Sequence, residues 1–153
     1  MRAIEAIRKR FVSVSPDTTL SDAADLMERA NVGSLLVLDG PRLVGIVTDR
    51  DIVVRGVAHA LPADARIDTV MTTNVVTLDA DADLRAALPL FRTHACRRLP
   101  LLSGTEVVGV LAVDDLLIDL VADLGDAIRP ITGEVIFGHH EAPLPHVAMQ
   151  AKD

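Results

Sequence analysis

The sequence predicts a mixed α/β (α+β) protein built from two tandem β-α-β-β-α repeats that close on each other. Three observations lead there. The stretch "GIVTDRD" at Gly45 to Asp51 returns as "GVLAVDD" at Gly109 to Asp115, and Gly45 and Gly109 lie 64 positions apart. The same offset aligns Asp17 with Asp81, Leu20 with Leu84, Leu35 with Leu99 and Gly40 with Gly104, with no gap. Each copy also passes from short apolar runs of strand length to a helical period and back. Two copies are too few for a solenoid, so a closed pair is expected.

Each copy is read in the same order. A short strand opens it, at residues 11–14 and again at 75–78. A helix follows. Leu20, Ala23, Ala24 and Met27 recur at helical spacing, and Thr19 with Asp22 has the form of a capping box. Leu84, Ala87, Leu88 and Phe91 repeat that spacing behind Asp83, a candidate cap, but Pro89 interrupts the helix. Two strands come next, 34–38 and 43–47, joined at "DGPR"; their counterparts are 99–102 and 107–111, joined at "SGTE". These strands are apolar at nearly every position, which predicts cover on both sheet faces. A closing helix is expected to begin near Thr48 and near Ala112. The division into domains is 1–63 for the first repeat with its N-terminal segment, 64–124 for the second, and 125–153 for a partly extended tail.

Composition excludes several function classes. Half the residues are hydrophobic, yet there is no Trp or Tyr and only 3 Phe, so aromatic platforms for single-stranded nucleic acid are missing. A formal charge of −7 disfavours DNA or RNA as partner. A single cysteine makes no intrachain disulfide and suits a reducing compartment. The opening "MRAIEAIRKR" lacks a signal-peptide core, and no apolar run approaches the roughly 20 residues of a membrane span. A cytoplasmic protein without a membrane partner is expected. No nucleophile elbow, P-loop or Cys/His constellation advertises an enzyme.

The stretches "VSVSPDTTLSDAADLMERANVGSLLVLDGPRLVGIVTDRDIV" and "VMTTNVVTLDADADLRAALPLFRTHACRRLPLLSGTEVVGVLAVDDLL" resemble the two halves of a CBS-domain pair, or Bateman module, of the small stand-alone bacterial kind. The likeness covers about residues 4–124 in register. It implies two three-stranded sheets packed about a pseudo-twofold axis, with two clefts that take adenosyl ligands such as AMP, ADP or ATP. It also implies a regulatory module, not an enzyme, and a homodimer that buries the helices starting near Thr19 and Thr48 together with their equivalents. The alternative is a constitutive structural or dimerisation module with empty clefts. The downstream target is not legible.

Asp51 and Thr48 are the leading ligand candidates. A carboxylate in the first turn of a helix can accept from both hydroxyls of a ribose, and the Thr hydroxyl with free helix N–H groups can serve sugar or phosphate oxygens. The resemblance assigns Asp51 to ribose and Thr48 to the ribose–phosphate region. The same spacing is also a plain capping box. In the second copy Asp115 persists, but Ala112 replaces the Thr. Arg97 and Arg98 precede the second central strand, where the resemblance places phosphates; solvated arginines are the other reading. Their counterparts Gly33 and Ser34 carry no charge and permit close backbone approach. Val12, Ser13, Val14, Thr77 and Leu78 form the adenine-side wall by resemblance. The first cleft is expected to combine Thr48 and Asp51 with Gly33 and Ser34, and the second to combine Asp115 with the two arginines.

The remaining candidates are weaker. Cys96, beside two arginines, is either a redox thiol or a small buried filler. Arg8 to Arg10, "RKR", is either a phosphate-facing rim or a solvated turn. His139, His140 and His146 match no zinc spacing, and no metal is expected. Pro130, Pro143 and Pro145 argue against a long helix in the tail, where "EVIF" reads as an edge strand or a partner contact.

Overall fold

The computed structural model describes residues 1–7 and 11–137. Six strands form two three-stranded sheets. In the first, β1 (Ser13–Val14) runs parallel to β2 (Ser34–Asp39), which pairs antiparallel with β3 (Arg42–Thr48). In the second, β4 (Leu78–Asp79), β5 (Arg98–Ser103) and β6 (Glu106–Ala112) repeat that order. The helices are α1 (Leu20–Ala30), the short α2 (Asp49–Asp51), α3 (Ala87–His94) and α4 (Val113–Phe137). The β-α-β-β-α order is therefore present twice.

Local chemistry accounts for the elements. Thr19 caps α1 by accepting from the Asp22 N–H at 3.0 Å, so the forward half of the expected box forms. The α3 region is split by its proline. Residues Leu84–Ala86 make a 3-10 turn capped by Asp83, and α-geometry starts only at Ala87, two residues before Pro89. There the missing N–H falls in the first turn, where it has no intrahelical partner to lose. Both hairpins turn on a glycine with positive φ, Gly40 at 59° and Gly104 at 60°. With Pro41 next in the first, this is the type II′ pattern, whose twist matches the strands. Beyond α2 the chain continues as a π-helical turn, Ile52–Gly56, and a 3-10 turn, Val57–His59.

The tail differs from the sequence expectation. Residues Glu134 to Phe137 are not an edge strand; they are the last turn of α4, which runs through Pro130. Proline withholds one backbone N–H but fits helical φ, and 25 helical residues outweigh one lost bond. Residues 1–116 make one compact unit, and residues from 117 onward belong to a second.

Two hydrophobic cores follow the repeat, with an exchange. The first joins Leu20, Ala23, Met27, Leu35, Val37 and Val47 to Ile67 and Val70. The second joins Leu84, Ala87, Phe91, Leu99, Leu101 and Leu111 to Ala3 and Ala6. Ala3 and Ala6 stand 64 positions before Ile67 and Val70, so each core is closed by the same kind of segment. Matching backbone bonds hold it. Ile67 donates to the Thr18 carbonyl and Ala3 to that of Ala82; Leu20 donates to the Ala65 carbonyl and Leu84 to that of Met1. The N-terminal segment grouped by sequence with the first repeat thus packs against the second, and residues 65–71 pack against the first. The boundary read at 63/64 is crossed in both directions. The N-terminal segment is further tied by Arg2, 3.0 Å from Asp81 and 2.9 Å from Glu5. The Arg2 backbone N–H and guanidinium hold the Glu5 carboxyl below its usual range.

Close approach explains two glycines. A Cβ on Gly45 would lie 2.5 Å from the Met71 sulfur and 3.1 Å from the Thr72 carbonyl oxygen. A Cβ on the equivalent Gly109 would collide with the tip of Ile7, the residue equivalent to Met71.

Candidate functional site

The loop-to-helix junctions after β3 and β6 hold the two equivalent acids, and their environments diverge. After β3, Thr48 and Asp51 complete a reciprocal capping box. The Thr48 hydroxyl accepts from the Asp51 N–H at 3.1 Å, while Asp51 Oδ2 accepts from the Thr48 N–H and hydroxyl, each at 2.9 Å. Asp51 Oδ1 lies 3.7 Å from Arg55 Nε. Both oxygens of this carboxylate are therefore engaged within the chain, and the capping reading of "TDRD" is realised.

After β6 the same position is released. Ala112 offers no hydroxyl, and Asp119 stands in sequence where Arg55 stands in the first copy. The Asp115 carboxylate has no hydrogen bond or ion pair among the described residues. Asp115 is half-buried and borders a cavity of about 240 Å³. Phe11, Val12, Val32, Leu36 and Val110 supply its apolar lining, and Asn31, Gly33, Ser34 and Ala112 line it as well. Three charged residues also line it: Arg98, Asp114 and Asp115. An apolar lining with a few convergent polar groups is the usual composition of a small-molecule site.

The cavity draws on both repeats. Residues 11–36 come from the first, and Arg98 onward from the second. Gly33 and Ser34 share this cavity with Asp115, while Ser34 also pairs across the strands with Thr48 and the Gly33 carbonyl accepts from the Asp49 N–H, beside the Thr48–Asp51 box. The cause of the sharing is the packing of the two sheets, which sets the β1–β2 end of one repeat against the helix start of the other. The 64-residue offset aligns equivalent positions but carries no information on which copies face each other.

Of the residues singled out, the structure brings Val12, Gly33, Ser34, Arg98 and Asp115 together. Ser13, Val14, Thr77, Leu78, Thr48, Asp51 and Arg97 do not line this cavity. Val14 packs on the first core and Leu78 on the second. Arg97 is exposed and reaches Asp114 at 3.4 Å. Arg98 donates to the Arg97 carbonyl at 3.1 Å and lies 3.8 Å from Asp114. Sequence reasoning missed Asn31, the left-handed C-cap of α1, and Asp114. The signal for Asp114 was present: the offset sets it opposite Arg50, a reversal of charge beside the acid.

The other candidates resolve more simply. Cys96 packs on the second core, and burial pushes its thiol up, away from the reactive thiolate. Among the described residues no group of three or more His, Cys, Asp or Glu is placed to hold a metal. Residues 8–10 and His139, His140 and His146 lie outside the described residues. No helix among those described is long and apolar enough to cross a membrane.

Comparison with known proteins agrees with this architecture. The CBS domain family model matches residues 3–57 and 67–122. The chain belongs to the CBS-domain family and carries a CBS pair. It is 31% identical over 134 residues to the CBS domain-containing protein YhcV of Bacillus subtilis, covering 86% of this chain and 96% of that one. Hypoxic response protein 1 of Mycobacterium tuberculosis is 33% identical over 105 residues, covering 67% of this chain and 73% of that one. A solved structure of Hypoxic Response Protein I with two coordinated zinc ions superposes with a TM-score of 0.69 at 29% identity, over 76% of this chain and 97% of that one. CBS domain protein PAE2072 of Pyrobaculum aerophilum, complexed with AMP, shares the fold with a TM-score of 0.71 at 24% identity, over 80% of this chain and 98% of that one.

Proposed function

We propose that this CBS pair is a regulatory, non-catalytic module that binds an adenosyl ligand in the cavity between its repeats, with Asp115 on the ribose. The observation that carries the reading is the contrast between two equivalent acids. Asp51 is spent on its own helix cap, whereas Asp115 borders a cavity with both oxygens free of partners among the described residues. A carboxylate with free lone pairs is matched to the two adjacent hydroxyls of a ribose. The apolar lining suits a purine face, and Gly33 and Ser34 let backbone come close. AMP bound to a protein of the same fold is in keeping with that chemistry. Ligand bound across both repeats favours one arrangement of them over others, which is the physical requirement for a signal.

The test is calorimetry with adenosine, AMP, ADP and ATP on the wild type, Asp115→Asn and Asp51→Asn. Binding to the wild type is expected, with a loss of tenfold or more in Asp115→Asn, the scale of a lost charged hydrogen-bond partner. A smaller loss is expected in Asp51→Asn. No binding of any of the four would favour the constitutive structural reading. An Asp51→Asn loss exceeding that of Asp115→Asn would move the site to the other junction.

A homodimer is part of the same proposal. Val53, Val54 and Val57, which follow α2, are exposed, and so are their repeat equivalents Leu117, Ile118 and Val121 on α4. Repeated exposure of large apolar side chains at equivalent positions favours association through them. Light scattering at micromolar concentration is expected to give twice the chain mass. Val54→Lys combined with Ile118→Lys is expected to return it to the monomer value, and a monomeric wild type would overturn the assembly.

A further inference from the structure

Asp114 has no role in the reading above, yet it lines the cavity, is exposed, and lies near two guanidinium groups. Its Oδ1 lies 3.4 Å from Arg97 and its Oδ2 3.8 Å from Arg98. Arg98 is the single cation among the described residues that line the cavity, and two carboxylates line it with Arg98. A phosphate group entering here meets an arginine already facing an acid, and meets that acid as well. At the equivalent place in the first repeat stands Arg50.

We propose that Asp114 sets the charge selectivity of the cavity. It competes with ligand phosphate for Arg98 and adds negative charge beside Asp115. The ligand class favoured is an adenosyl compound with little negative charge, a nucleoside, a monophosphate, or a neutral or cationic 5′-substituted adenosine. Triphosphates are disfavoured, because each added phosphate charge gains less from an occupied arginine and is repelled by two acids. This inference rests on the adenosyl reading of the same cavity.

The experiment measures the affinities of adenosine, AMP and ATP for the full chain as wild type, Asp114→Asn and Asp114→Asn combined with Arg98→Ala. The wild type is expected to bind adenosine or AMP more tightly than ATP. Asp114→Asn is expected to raise the ATP-to-adenosine affinity ratio about fivefold, the upper range for a solvent-exposed charge. The rise is expected to shrink at high salt and to be smaller in the double variant than in Asp114→Asn, because freed Arg98 is one of its two sources, the other being the lost repulsion. An unchanged ratio in Asp114→Asn, or tighter ATP than adenosine binding in the wild type, would overturn the selectivity role while leaving the adenosyl site standing. Absence of binding by all three ligands to the wild type would overturn both, and is recognised because it precedes any comparison of ratios.

Discussion

Replacing Ala3 with aspartate is expected to unfold the second repeat ahead of the first. Ala3 is fully buried, and it packs with Leu84, Leu99 and Leu111, not with the repeat that directly follows it. Its N–H is bonded to the Ala82 carbonyl at 2.9 Å. Among the described residues no cation is buried in the core to meet a carboxylate at that position. Burying it unpaired, or expelling residues 1–7 to avoid that, costs about 3 kcal/mol or more. That is a large share of a typical stability of about 5–15 kcal/mol. Hydrogen exchange is the decisive measurement, with protection expected to fall first in β5 and β6 and later in β2 and β3. Ile67→Asp, at the equivalent position in the first core, is expected to reverse that order. Loss confined to β2 and β3 in Ala3→Asp would contradict the exchange of segments.

A methyl group on Gly45 is expected to cost more than one on Gly109, although the two glycines are equivalent. At Gly45 the obstacle includes backbone. The Thr72 carbonyl accepts from the Ile46 N–H at 3.0 Å, and the Thr72 N–H donates to the Ile46 carbonyl at 2.8 Å. Those two bonds pin the strand edge that a Cβ would strike. At Gly109 the nearest atom is the terminal methyl of Ile7, which can rotate away. Overpacking of the first kind costs about 1–3 kcal/mol, and Gly45→Val is expected to cost more than Gly45→Ala. Urea unfolding of Gly45→Ala and Gly109→Ala compares them directly, and an equal or larger loss in Gly109→Ala would show that Ile7 is held as firmly as backbone.

Much of this fold is legible in the chain because equivalent positions face equivalent environments. The four long strands were placed within a residue of their ends, and Thr19 and Asp83 both cap as read. Those signals are local: a period, a hydroxyl, a turn glycine. The exchange of residues 1–7 and 65–71 is not local. Ala3 and Ile67 are apolar in either packing, so their pattern is silent on which core they enter. The helix through Pro130 was missed because proline was weighed as a stop, when a long helix can carry one. At the site, "TDRD" held two readings that only distances separate, and the free acid proved to be the one without its threonine.

The exchange of segments also sets the order in which a growing chain can become stable. Among the described residues the first core extends no further than Met71, and the segment that closes it emerges after the strands it covers. It can therefore form during translation, across short loops. The second core needs Ala3 and Ala6, which have no complete place to dock until β5 and β6 exist, about a hundred residues later. The segment carrying Ala3 and Ala6 therefore waits until those strands have been made. It is then captured across a long loop, at an entropic cost that grows only slowly with loop length. One repeat is finished early, and the other only when a segment made long before it finds its place, so the two cores close at different times although their residues repeat.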